Sequence, residues 1–298
     1  MGIHWDDRSR FHPDRSGIPG LDLISLPLEL ESVWSRGKVL VFECSKEKEK
    51  LYIVSQFGMA GYWIPVSITE TQIREKGLKQ IVKENKDKHS NFWMVLGDLS
   101  QIPEEREKGL YIPSAILFYN DARHFGNLTV TQDLSEIWTK HGPCLMAASL
   151  QKHQEKNQGE VYKPQNEKEQ VPATLERFTK CITNKRIKNK WIFDFLLEQK
   201  HVSGIGNYLC NEILYASKVS PFRILEDLSE EDILNIYENA LEIIYQSYME
   251  QGPTDGYIEG GRFQLKVYQQ SHDPLGNIVF KDTKSAERTI HYVPNIQI

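Results

Sequence analysis

SGIGNYLCNEILYASKVSPFR, residues 203–223, sets a glycine turn directly against an apolar, helix-forming run. The preceding WIFDFLLEQK (191–200) also reads as a helix, so Ser203-Gly204-Ile205-Gly206 is the turn between two helices. The first-turn N–H groups of the second helix have no partner within that helix. Together they form a ready anion site, and small glycines let another backbone come close. Asn207 adds an amide donor at the same place. The plainer alternative is an αα-corner in which the glycines relieve crowding and Asn207 caps the helix.

Downstream, Ser229 and Asp232 form an S-x-x-D capping pattern. Ile233, Ile236, Tyr237, Ala240, Leu241, Ile244 and Tyr248 then recur at helical spacing, and Gly252-Pro253 is a stop signal. From about Phe263 the pattern becomes that of a small β-hairpin module. Upstream, residues 21–131 read mostly as strand. KVLVFEC (38–44) and LYIVSQF (51–57) flank the polar turn SKEKEK as a hairpin, and AILFYND (115–121) and NLTVT (127–131) read as a second pair turning through ARHFG. The charged segment 69–113 reads as an excursion from the sheet. In residues 151–170, fifteen of twenty positions are Gln, Lys, Glu or Asn, which reads as a linker.

The 298 residues, 40% hydrophobic and 26% charged, describe a globular chain long enough for two domains. No apolar run approaches the roughly 18 residues of a membrane span, and MGIHWDDRSR lacks a signal-peptide core. Four scattered cysteines without a C-x-x-C pair argue for a reducing interior and against a thiolate zinc site. The net charge is −5, yet residues 171–223 carry nine Lys/Arg against four Asp/Glu, while 224–250 carry eight acidic residues and no basic one. Such a reversal fits one face that meets a polyanion beside one that does not; two solvated helix surfaces are the plainer reading.

The 203–223 string resembles the helix–two-turn–helix of the formamidopyrimidine-DNA glycosylase/endonuclease VIII family. Further landmarks follow in family order: SRGKVLVFE (35–43), SQFGMAGYW (55–63), YNDARHFGNL (119–128), HGP (141–143) and AERTIHYVPNIQ (286–297). The resemblance implies an α+β fold: an antiparallel β-sandwich domain over 1–150, a linker over 151–170, a helix–two-turn–helix DNA-binding domain over 171–252, and a finger hairpin over 253–298. Residues 263–298 hold no cysteine, so the finger resembles the zincless branch and no metal is expected there.

Residue roles follow from the same resemblance. Lys38 is expected in the cleft on a phosphate near the lesion, with a part in proton transfer, and Arg288 at the finger tip gripping a phosphate; these are the catalytic candidates. Asn207, with Gly204 and Gly206, is expected at the DNA backbone. Met59, Arg123 and Phe125 match the residues that fill the hole left by a flipped nucleotide, where a wedge offsets part of the extrusion cost. Without the resemblance, Lys38 reads as a solvated strand-edge lysine, Met59 and Phe125 as core, Arg123 as surface.

The family begins with Pro-Glu after the initiator Met; the proline amine forms a Schiff base that couples base excision to strand cleavage. Here Gly2 and Ile3 stand at those places, so the chain reads as N-terminally incomplete relative to the family, with Lys38 as an alternative nucleophile. The expected function is a base-excision-repair DNA glycosylase with AP-lyase activity on oxidised bases. The alternative is a catalytically inactive protein that binds damaged or abasic DNA; use of the motif as a packing or RNA-binding module is a third reading. The expected partner is double-stranded DNA with a damaged base or abasic site, met by a monomer with no cofactor and no membrane contact. The expected place is wherever the DNA is inside the cell (nucleus, nucleoid or viral replication site), without secretion.

Overall fold

The structure, a computed structural model, describes residues 2–5, 11, 17–57, 61–97, 113–157, 169–251, 263–285 and 288–298. It divides into two compact units. The first holds Met1–Trp34 and Val39–Leu134, the second Ser35–Lys38 and Ser135–Ile298.

The first unit contains two four-stranded sheets. Strands β1 (Gly2–Trp5), β2 (Glu29–Arg36), β3 (Val39–Lys46), β4 (Glu49–Gln56) and β5 (Gly61–Ser67) open the chain. Helices α1 (Glu70–Lys76) and α2 (Leu78–Asn85) follow, then β6 (Ser90–Gly97), β7 (Pro113–Asp121) and β8 (Asn127–Thr131). One sheet runs β1-β6-β7-β5 and the other β2-β3-β4-β8. The β3–β4 hairpin forms as read, with register from Val39↔Gln56 to Lys46↔Glu49. Its two turn residues, Glu47 and Lys48, both take positive φ (52° and 77°), the hand that matches strand twist. Phe42, Ile53 and Leu128 from one sheet meet Phe92, Met94 and Tyr119 from the other in a shared core, which makes the unit an antiparallel sandwich.

Two local readings are corrected. Residues 115–121 and 127–131 are not a hairpin: β7 pairs with β5 and β6, whereas β8 pairs with β4 in the other sheet. The ARHFG turn therefore crosses between sheets, because alternation marks a strand without naming its partner. Nor is the whole of 69–113 an excursion, since β6 (Ser90–Gly97) lies inside its sheet between β1 and β7. Helices α1 and α2 cover that sheet's outer face, packing Ile73, Leu78, Ile81 and Val82 on Val95, Ile116 and Phe118. Thr69 caps α1 in a reciprocal box with Gln72.

The second unit holds α3 (Ser135–Thr139), α4 (Leu145–Asn157), α5 (Leu175–Ile182), α6 (Ile192–Leu197), α7 (Asn207–Ala216), α8 (Glu230–Gln251), β9 (Phe280–Ser285) and β10 (Arg288–Tyr292). The boundary expected at 150–151 falls inside α4, and the first unit ends at Leu134. Gln, Lys and Glu are good helix formers, so a polar run with Leu145, Ala148 and His153 buried along one side is a helix as readily as a linker. Helix α7 runs through the core: Leu209, Cys210, Ile213 and Leu214 are buried among Phe193, Phe195, Ile236 and Leu241. Ser229 and Asp232 cap α8 reciprocally, as their spacing predicts. Its stripe is buried as far as Ile244 apart from the half-buried Tyr237, while Tyr248 is exposed. Strands β9 and β10 form an antiparallel ribbon over a small core of Val267, Val279 and Val293. Among the described residues no helix is long and apolar enough to cross a membrane.

Candidate nucleic-acid interface

Lys38 sits at the tip of the β2–β3 hairpin, and that tip groups with the second unit. Arg36 anchors it. Its guanidinium donates to three backbone carbonyls, those of His141 (2.9 Å), Gly142 (3.1 Å) and Glu169 (3.2 Å), and lies 4.6 Å from the centre of the Trp138 ring. Gln170 donates to the Ser35 carbonyl at 3.0 Å, and the Gly37 N–H donates to the Cys144 sulfur at 3.2 Å. Gly37 has φ +59°, and a Cβ there would fall 2.6 Å from the Cβ of Ser203. The tip thus lies flat on the glycine turn, at a position only glycine fits.

The turn is braced from within. Gln199 accepts from the Gly204 N–H (3.0 Å) and donates to the carbonyls of Leu197 (3.0 Å) and Ile205 (2.8 Å). The Ser203 hydroxyl donates to the Gly142 carbonyl at 3.0 Å. Gly204, at φ +110°, lets Gly37 of this same chain come within 3.9 Å of where its Cβ would be. The close backbone approach that its type permits is therefore made internally, and its N–H is already engaged.

Gly206, not Asn207, is the N-cap of α7, and no side chain caps the helix there. The capping alternative for Asn207 therefore fails: Asn207 is the first helical residue, and its amide donates to the Thr289 carbonyl at 3.3 Å. Thr289 follows Arg288, half-buried at the start of β10. The Lys38 ammonium lies 3.2 Å from the position a Cβ on Gly206 would take. Lys38 keeps contact with water, but crowding on this side desolvates it and Arg288 adds like charge, so its pKa falls below the ordinary lysine value. Burial pushes the nearby Cys210 thiol well up, which keeps it neutral. Lys38, Gly204, Gly206, Asn207 and Arg288 are thereby brought together, with two cations beside an uncapped helix N-terminus. Lys38 is exposed as the plainer reading has it, but it stands at a hairpin tip between two strands and not on a strand edge.

Arg123 and Phe125 lie in the first unit, on the loop that crosses from β7 to β8. Its neck is pinched. Asp121 accepts from the Gly126 N–H at 2.7 Å, and a Cβ on Gly126 would fall 2.1 Å from the Tyr119 hydroxyl. Between the two, Arg123 is exposed, His124 takes φ +58°, and Phe125 stands 63% exposed. Phe125 is not core. Met59 lies outside the described residues.

Sequence reasoning missed Arg36, Gln199, Asn211 and Glu212. The last two carried a signal: polar residues on an otherwise apolar helix, each requiring a buried partner. Arg36 and Gln199 carried none, since they bind backbone groups that no sequence displays.

The profile of the formamidopyrimidine-DNA glycosylase H2TH domain matches residues 163–255, which contain the braced turn and its two helices. Over that stretch the chain is similar to the H2TH domain of the formamidopyrimidine-DNA glycosylases. It is 33% identical over 132 residues to a formamidopyrimidine-DNA glycosylase of Prochlorococcus marinus, covering 41% of this chain and 44% of that protein. Against an endonuclease 8 of Salmonella arizonae it is 30% identical over 128 residues, 42% of this chain and 48% of the other. The match thus spans about half the length of these relatives. In fold it is similar to Lactococcus lactis formamidopyrimidine DNA glycosylase bound non-covalently to DNA containing an AP site. There the TM-score is 0.61 at 21% identity, covering 91% of this chain and 82% of that one. Residues 263–298 hold no cysteine, and no group of three His, Cys, Asp or Glu that could hold a metal occurs among the described residues.

Proposed function

We propose that this chain grips double-stranded DNA at a damaged base or abasic site and acts there in base excision repair, as a glycosylase of oxidised bases that also cleaves at the resulting abasic site. The observation that carries the reading is the seating of Lys38 and Arg288 at the uncapped start of α7. Two cations and a fan of free N–H groups suit a phosphate diester and offer little to a neutral ligand. Arg288 would hold a phosphate bidentately, while the Lys38 ammonium and the first-turn amides hold its neighbour. Arg123 and Phe125 are assigned to the void behind an extruded nucleotide. An apolar ring held in water at a pinched loop gains from entering a base stack what it loses by staying out.

The chemistry of the reading is imine formation. An amine attacks C1′ and the damaged base departs with the glycosidic electron pair and takes up a proton; the nitrogen lone pair then opens the C1′–O4′ bond, O4′ takes up a proton, and the resulting iminium acidifies the C2′ proton so that its loss expels the 3′ phosphate. Lys38 is one candidate amine, because its lowered pKa leaves more of it unprotonated at a given pH.

Borohydride trapping on a duplex with one abasic site tests this directly. A covalent adduct is expected, and mapping the linked peptide names the amine. Tight binding without an adduct would assign the chain to the alternative, a protein that binds damaged DNA without excision. Binding no tighter than to undamaged duplex would sink both.

A further inference from the structure

Helix α7 does more than present its N-terminus. Four polar side chains along it, at Asn207, Asn211, Glu212 and Tyr215, all bond to the C-terminal module. Asn207 donates to the Thr289 carbonyl, and Asn211 accepts the His291 N–H. The Glu212 carboxylate accepts three successive backbone N–H groups, those of Lys266 (2.9 Å), Val267 (3.0 Å) and Tyr268 (2.9 Å). The Tyr215 hydroxyl donates to Asp273 at 3.0 Å. Asn211 and Glu212 are buried, 1% and 2% exposed, on a helix whose other buried residues are apolar. A buried carboxylate is costly unless its oxygens are fully engaged, and here the C-terminal module engages them.

The module needs such a seat. A two-stranded ribbon over three valines is marginal on its own. The β9–β10 register also shifts between Arg288 and Ile290, so the ribbon does not fix the direction of Arg288 by regular pairing. Thr289, within that irregularity, is the residue Asn207 holds, and His291 is the one Asn211 holds.

Resting on the DNA-gripping reading above, we propose that Asn211 and Glu212 are positioning residues for Arg288. Helix α7 is the ruler that sets the distance between the phosphate held at its own N-terminus and the phosphate held by the arginine. Because the Asn207, Asn211 and Glu212 bonds run to backbone groups, their part of the setting is independent of the module's side chains.

The test is equilibrium binding to an abasic-site duplex across a salt series, for the parent, Glu212→Gln, Arg288→Ala and the double variant. Arg288→Ala is expected to weaken binding about tenfold and to flatten the salt slope by about 0.9, the share of one phosphate. Glu212→Gln keeps the shape but replaces one acceptor oxygen by an NH2. It is expected to reproduce both changes, and the double variant to be no worse than either single one. Glu212→Gln at parent affinity and slope, or losses that multiply in the double variant, overturns the proposal. A merely structural role would lower stability without moving the slope. If Arg288→Ala itself binds like the parent, the DNA reading fails instead. Amide hydrogen exchange at Lys266–Tyr268 then decides the anchoring, which is overturned if protection survives in Glu212→Gln. Should Glu212→Gln not fold, Tyr215→Phe takes its place in the same cycle with smaller, coupled losses expected, and independence from Arg288→Ala overturns the proposal.

Discussion

The hairpin tip at Ser35–Lys38 and the crossover loop at Asp121–Gly126 both carry residues expected at damaged DNA, and they are built in opposite ways. The tip is tied down along its length: Arg36 to three carbonyls, Gly37 against Ser203, Lys38 against Gly206. The crossover loop is tied at its neck, by Asp121 and Gly126, and Arg123 and Phe125 stand exposed. A phosphate has one charge and one size, so a rigid cradle gains by being preorganised. The hole behind a flipped nucleotide exists only after DNA deforms, so its filler must wait in solvent and enter late.

The largest effect should come from breaking the tied loop. Arg36→Ala takes a donor from three carbonyls, of which Gly142 keeps Ser203, and bares the Trp138 face, and urea unfolding should show a loss of about 3 kcal/mol or more. A loss below 1 kcal/mol would mean the tip is not held as described. Gly37→Ala adds a Cβ at positive φ and against Ser203; about 2 kcal/mol is expected, together with weaker abasic-site binding. Phe125→Ala sharpens the contrast from the other side. Stability should stay within about 0.5 kcal/mol of the parent, while affinity for an abasic-site duplex drops by about 1 kcal/mol. An unfolding midpoint that moves while binding does not would reverse the roles of the two loops.

The smallest effect is a pH dependence. Free Lys38 gives up its proton at lower pH than an ordinary lysine, and a bound phosphate favours the charged form. Binding therefore takes up a proton in the window between the lowered pKa and the raised pKa of the complex, and affinity falls as pH rises through it. Lys38→Arg, which stays charged throughout, should flatten that profile; an unchanged slope would mean that Lys38 meets no phosphate.

How much of this was legible in the sequence depended on range. Helix α8 and the β3–β4 hairpin were readable because capping and alternation act between near neighbours. Strand β6 was hidden in a charged stretch, and β8 was paired with the wrong strand, because sheet partners are set by contacts far along the chain. At the interface, Lys38, Asn207 and Arg288 were named through the family resemblance. What fixes them was not: Arg36, Gln199 and Glu212 act on backbone groups, and every residue carries the same ones.

The ties on the hairpin tip also carry a schedule. Arg36 closes loops of 105, 106 and 133 residues to reach its three carbonyls, and Gly37 must wait for Ser203. Local turns form in microseconds, but loops of this length close only when distant partners are present and structured. On a chain emerging from the ribosome, the β2–β3 hairpin is complete long before Ser203 appears, so Lys38 spends that interval away from the second cation and the helix N-terminus. The cluster of Lys38, Arg288 and the start of α7 is among the last parts of the molecule to exist.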